Sequence, residues 1–141
     1  MFSSKITSTL AVLATLLAGT TASPVTTSSG GEIDTRAALT NGRFTYYNPG
    51  LGACGTNHGD GDLAVALSHA DFDPSTPNGN PNNNPLCGRR LRASFSGRNV
   101  DVTVIDRCVA CNSGDLDLSP AAFQALADLS VGVIQGSWTW L

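Results

Sequence analysis

Two carboxylates and a cysteine pair lie close together between Val102 and Phe123, in the stretch V-T-V-I-D-R-C-V-A-C-N-S-G-D-L-D-L-S-P-A-A-F. Asp106 and Asp117 flank Cys108-x-x-Cys111, and carboxylates placed this way suit three tasks. They can act as general acid and base, accept hydrogen bonds from sugar hydroxyls, or brace structure, with Asp117 capping the helix that follows and Asp106 pairing with Arg107 or a backbone amide. Inverting glycoside hydrolysis requires one protonated and one ionised carboxyl group about 6.5 to 9.5 Å apart, with a water between them. A carboxyl group without such a partner still accepts hydrogen bonds from a glycan, or donates one when apolar neighbours raise its pKa. His69, in A-L-S-H, is a third titratable candidate, since imidazole exchanges protons near neutrality. The alternative for His69 is a side chain satisfied by backbone partners at a strand end.

These residues need a scaffold, and short strands supply it. Gly42 to Asn48 is aromatic and β-favouring, with Phe44 and Tyr46 on one face and Thr45 and Tyr47 on the other. Only one tyrosine can therefore line a site, and Tyr47, on the side of Thr45, is the one expected there. Asn48-Pro49-Gly50 stops the strand, and Gly52-Ala53-Cys54-Gly55 follows as a loop whose glycines permit close backbone approach. Leu63 to Leu67 is a second apolar strand. Asp73 to Pro85, with four prolines, five asparagines and no apolar residue, reads as an exposed loop. Leu91, Ala93 and Phe95 alternate with polar residues, Gly97-Arg98-Asn99 reads as a hairpin turn, and Val100, Val102 and Val104 form a core face on the strand that ends in Asp106. Leu116 and Leu118 point inward if extended, which leaves Asp117 facing out. Ser119-Pro120 is an N-cap followed by proline at the first helical position, predicting one short helix to about Leu129. Val131 to Leu141 returns as a strand whose Ile134, Trp138 and Trp140 share a parity suited to closing a small core.

The chain has 141 residues and a net charge of −3, with a pI near 5.0. Its scattered arginines are interleaved with aspartates, which excludes a phosphate-tracking surface and sets nucleic acid aside. Lys5, the apolar run Ile6 to Leu17 and the small residues Gly19 to Ala22 predict a signal peptide over residues 1–22. Residues 23–41, rich in Ser, Thr and Gly, predict a flexible leader, and residues 42–141 a single domain. No stretch is long and apolar enough for a membrane span. Export into an oxidising compartment favours disulfides for Cys54, Cys87, Cys108 and Cys111, with three pairings open, over zinc or redox chemistry. Cys108-x-x-Cys111 then serves as a clip on the loop between the two aspartates. No metal or cofactor is expected.

Taken in order, T-Y-Y-N-P-G-L-G-A-C-G, A-L-S-H, L-C-G, V-I-D-R-C-x-x-C and L-D-L-S-P-A-A-F resemble the fungal single-domain expansin-like proteins, the loosenin-like, RlpA-like or barwin-like group. The resemblance covers residues 42 to 141. It implies a mainly β fold, a six-stranded double-psi β-barrel with one short helix and an open groove across one face. It also implies the pairings Cys54–Cys87 and Cys108–Cys111. Asp117 falls at the groove aspartate that corresponds to the general acid of family-45 endoglucanases, Asp106 at a second groove aspartate, and Thr45 at a small hydroxyl residue of the first strand. The base of those enzymes comes from the first strand, and Tyr46-Tyr47-Asn48 contains no acid, which argues against hydrolysis. Cys108 stands where bacterial expansins place a groove tyrosine, which argues against tight binding of crystalline cellulose. His69 and Asp106 fall near the His and Asp of the bacterial RlpA-type lytic transglycosylases.

Three functions are therefore expected in order. The first is a secreted monomer that binds and loosens cell-wall polysaccharide (cellulose, chitin or a peptidoglycan-like polymer) without hydrolysis, through Thr45, Tyr47, Asp106 and Asp117. The second is a lytic glycan-cleaving enzyme using His69 and Asp106. The third is a secreted protein-binding module, a protease inhibitor or effector, acting through a surface loop such as Asp73 to Pro85.

Overall fold

The computed structural model describes residues 40–141, and the expected signal peptide and all but the last two residues of the expected leader lie outside them. The first strand, β1 (Thr40–Tyr46), begins two residues before Gly42, because Thr40 and Asn41 are held in register against Trp138 and Ser137 of the last strand. It is followed by β2 (Ala64–Ser68), β3 (Arg90–Phe95), β4 (Arg98–Cys108), β5 (Leu116–Leu118) and β6 (Ile134–Trp140). These close into a barrel in the order β1-β5-β2-β4-β3-β6. Closure leaves no free sheet edge, which suits a sheet of short strands. Two of the pairings, β1 with β5 and β2 with β4, are parallel, and the others are antiparallel.

The alternation read from the sequence is what fills the barrel. Phe44, Val65, Leu67, Leu91, Val102, Val104, Leu116 and Leu118 are fully buried, joined by Phe123, Ile134 and Trp138. Trp138 also donates its indole N–H to Gly114 O at 2.9 Å, so its one polar atom is satisfied inside.

The last strand begins at Ile134 and not Val131, β4 runs on past Asp106 to Cys108, and four further details differ from the sequence reading, each for a local reason. The β3–β4 turn is Ser96-Gly97 and not Gly97-Arg98-Asn99. Both central residues have positive φ, 47° and 78°, as a two-residue type I′ hairpin requires, so Arg98 already pairs with Phe95. A second short helix, α1 (His69–Phe72), follows β2 directly, because Ser68 caps it by accepting Asp71 N–H at 3.2 Å. The expected helix, α2 (Pro120–Leu126), starts at the Ser119 cap but stops three residues before Leu129. Ala127 is extended there, and Asp128 caps a separate 3-10 turn over Leu129–Val131. The Asp73–Pro85 segment is not wholly exposed: it winds through three 3-10 turns around Asn84, which is only 3% accessible. The Asn84 amide donates to Phe72 O at 2.7 Å and to Thr76 Oγ1 at 2.8 Å, and its oxygen accepts Leu86 N–H at 2.8 Å.

Candidate functional site

Asp117 is positioned by the shortest strand. Leu116 and Leu118 turn into the core, so Asp117 turns out, with Thr45 beside it across the parallel β1–β5 ladder and Ala66 on the β2 side. Thr45 Oγ1 donates to Asp117 Oδ1 at 2.7 Å. Burial lifts the Asp117 pKa above its ordinary value; the Thr45 hydrogen bond and the charge on Arg43 oppose the rise, and the charge on Asp106 adds to it.

Asp106 is placed by a bulge. Val65 pairs with Val104 but Ala66 pairs with Asp106, so Ile105 is an extra residue in β4 that re-aims the strand at this point. Asp106 Oδ1 accepts two backbone N–H groups, from Ala53 and Arg107, both at 2.8 Å. Its Oδ2 accepts the Tyr47 hydroxyl at 3.3 Å. Burial, then the charge on Asp106 and its hydrogen bond, push the Tyr47 pKa up, so the phenol stays a proton donor. Tyr46 goes the other way, packing its ring 5.1 Å from that of Phe123.

The Ala53 amide reaches Asp106 because the preceding residue is glycine. A Cβ at Gly52 would lie 2.3 Å from Ile105 O, so only glycine allows the 49–56 loop to press against β4. Cys54 N–H then donates to Ile105 O at 3.2 Å, and the Cys54–Cys87 disulfide pins the turn of the loop. The glycines of G-L-G-A-C-G were the signal for this approach. Nothing in the sequence announced that Ala53 would serve Asp106, or that Arg43 would act on Asp117.

The second disulfide, Cys108–Cys111, closes the clip between the aspartates. Cys108, Cys111 and Asp117 bring their ligand-type atoms within 4.8 Å of one another. Because the two sulfurs are bonded to each other, neither offers a thiolate to a metal.

His69 stands apart from this cluster. At the start of α1, its Nδ1 lies 4.0 Å from Asp73 Oδ2. Asp73 in turn receives a two-pronged hydrogen bond from Arg107, which holds its carboxyl below the ordinary range. No hydrogen bond or ion pair joins His69 to Asp106 among the described residues. A cavity of about 370 Å³ lies by Arg107 and Asp73, lined also by Thr76, Gly79 and Pro81. Another of about 340 Å³ lies beside the Cys54–Cys87 disulfide, with Thr56, His58 and Val104. Neither is lined by Asp106 or Asp117. Trp140 packs edge-on against Trp138, with centroids 5.2 Å apart, and carries the Arg89 guanidinium over its face at 4.1 Å, so both tryptophans serve packing.

Comparison with known proteins places this geometry. Residues 39–138 match the double-psi β-barrel family model described as lytic transglycolase. The papain inhibitor of Streptomyces mobaraensis is 46% identical over 103 residues, covering 70% of this chain and 68% of the inhibitor. A solved structure of Streptomyces papain inhibitor superposes with a TM-score of 0.67 at 38% identity, over 74% of this chain and 94% of that one. A point mutant of the Clavibacter michiganensis expansin in complex with cellohexaose superposes with a TM-score of 0.62 at 29% identity, over 74% of this chain and 50% of the expansin.

Proposed function

The chain belongs to the expansin-like double-psi β-barrel family whose description is lytic transglycolase, and on that premise we propose that it is an exported protein that binds cell-wall polysaccharide and loosens it without hydrolysis. The groove residues are Thr45, Tyr47, Asp106 and Asp117. One observation carries the reading: Asp106 spends one oxygen on two backbone amides and the other on Tyr47, so it is a fixed acceptor and not a free base. Asp117, with its pKa raised by burial, is suited to exchange hydrogen bonds with sugar hydroxyls. No acid in Tyr46-Tyr47-Asn48 can activate a water for it. The expansin relative's complex with cellohexaose supports an extended glycan as the ligand class. The lytic alternative would need His69 and Asp106 to act together, and the Asp73 partner of His69 weighs against it.

Sedimentation with insoluble cellulose and chitin tests the proposal. Binding of the wild type that falls in Asp117→Ala, with no reducing ends released, supports it. Reducing-sugar release that disappears in Asp117→Asn would instead establish a hydrolase, and anhydro products from peptidoglycan would establish the lytic enzyme.

A second reading is favoured by the relatedness to the Streptomyces papain inhibitor: the barrel binds and blocks a papain-type cysteine protease. A fixed amount of papain titrated with the protein tests it directly.

A further inference from the structure

Among the described residues the most exposed large apolar side chain is Leu51, with 77% of its surface accessible. It sits between Gly50 and Gly52 on the first arm of the loop whose turn, closed from Gly55 N–H to Gly52 O, presses on β4. The arms are an isolated piece of antiparallel ladder in which Leu51 lies opposite Asn57. The flanking bonds run from Gly52 N–H to Thr56 O and from His58 N–H to Gly50 O, both 3.0 Å. Leu51 is therefore the non-hydrogen-bonded member of the pair, and its own N–H and C=O point away from Asn57. No hydrogen bond among the described residues engages either group.

We propose that Gly50-Leu51-Gly52 is the bait segment of a protease-binding surface, lying extended in the substrate cleft of a papain-type cysteine protease with the Leu51 side chain in an apolar specificity pocket. The proposal rests on the second reading above and names the residues that would carry it. Three properties fit that occupant. Leu51 leaves 77% of its surface free for a pocket to cover. Its outward N–H and C=O offer the main-chain pairing by which an extended peptide adds to a strand, while the side chain supplies the anchor. Gly50 leaves one side of Leu51 open, since a Cβ there would meet nothing within 4 Å, whereas Gly52 lies against β4.

The segment is also ordered before it binds. Gly55 N–H closes the loop onto Gly52 O at 2.9 Å, Ala53 N–H is held by Asp106, and Cys54 is tied to Cys87 and to Ile105 O. A loop fixed at its turn loses little conformational entropy on docking. The Asp73–Pro85 segment, expected from sequence to be the inhibitory loop, is less suited. It has no apolar residue, and it buries Asn84 to hold its own turns.

Inhibition constants for papain, measured with wild type, Leu51→Asp, Val131→Ser and the double variant Asn78→Ala/Asn83→Ala, test the proposal. Val131 is a second exposed apolar residue, 55% accessible, outside the loop. Leu51→Asp is expected to weaken inhibition by at least about tenfold, as loss of an anchor in a desolvated pocket does, while the other two variants match wild type. An unchanged melting temperature for Leu51→Asp confirms that the fold is intact. Wild-type inhibition by Leu51→Asp, or a loss confined to the asparagine variant, overturns the bait segment and leaves the inhibitor reading standing. Wild-type protein that does not inhibit papain at molar excess overturns both.

Discussion

Thr45 and Asp117 face each other across the parallel β1–β5 ladder, and the 2.7 Å hydrogen bond between them is the only side-chain hydrogen bond that Asp117 makes among the described residues. The pair sits on the outer face of strands whose neighbouring residues, Phe44, Leu116 and Leu118, are fully buried. A closed core thus backs the pair and keeps the two strands in register. A carboxyl group here is half-withdrawn from water, with one hydroxyl in partial compensation.

Stability should carry the signature of that burial. The folded-state pKa of Asp117 lies above its unfolded value, near 3.8, so the native state retains a proton that the unfolded chain releases. The contribution is fully present below the unfolded value and is lost as pH rises through the raised folded one. Asp117→Asn escapes this loss. The melting temperature of the variant minus that of wild type is expected to grow from pH 3 toward neutrality and then level off. A difference independent of pH would show that Asp117 is solvated like a surface carboxylate.

Thr45→Val keeps the shape of the side chain and deletes the donor. The Asp117 pKa, which the hydroxyl pulls down, is expected to rise further, read from the carboxyl carbon in an NMR titration. At neutral pH the variant should lose about 1.5 to 3 kcal/mol in urea unfolding, the range for a hydrogen bond to a charged group. An unmoved titration would place the proton of the hydroxyl elsewhere.

The contrast between the two aspartates explains what could be read in advance. Asp117 was legible because Leu116 and Leu118 flank it in a period of two, which alone decides that it faces out. The core face of Val100, Val102 and Val104 was legible for the same reason. Asp106 obeys no such rule: its aim depends on the bulge at Ile105 and on an amide from Ala53, fifty-three residues earlier in the chain. Asn84 was read as solvated since asparagine usually is, yet its partners, Phe72 O and Thr76 Oγ1, are brought to it by α1 and by the 3-10 turn after it. Local patterns carried the strands, and contacts distant in sequence made the site.

Gly52→Ala probes one such contact. The added methyl group would meet Ile105 O at 2.3 Å, so the loop must lift from β4 and Ala53 N–H must leave Asp106. A cost of roughly 1 to 3 kcal/mol is expected from overpacking of this kind. Hydrogen exchange at the Ala53 amide should accelerate while the Val102 amide stays protected. Retained protection at Ala53 would mean that β4 yields instead.

The two disulfides should contribute unequally, since each closes a loop of different length. Cys54 and Cys87 are 33 residues apart, and Cys108 and Cys111 only three. Loop-closure entropy then assigns roughly 4 kcal/mol to the first and roughly 2 kcal/mol to the second. The first also anchors the 49–56 loop, whereas the second sits against Asp117 and closes a single turn at the end of β4. Cys54→Ser/Cys87→Ser is therefore expected to lower the urea midpoint more than Cys108→Ser/Cys111→Ser. The second variant should disturb glycan binding more than its stability loss accounts for, because it frees the chain beside Asp117. Equal midpoints with unchanged sedimentation on cellulose and chitin would reduce the clip to a loop closure with no part in the groove.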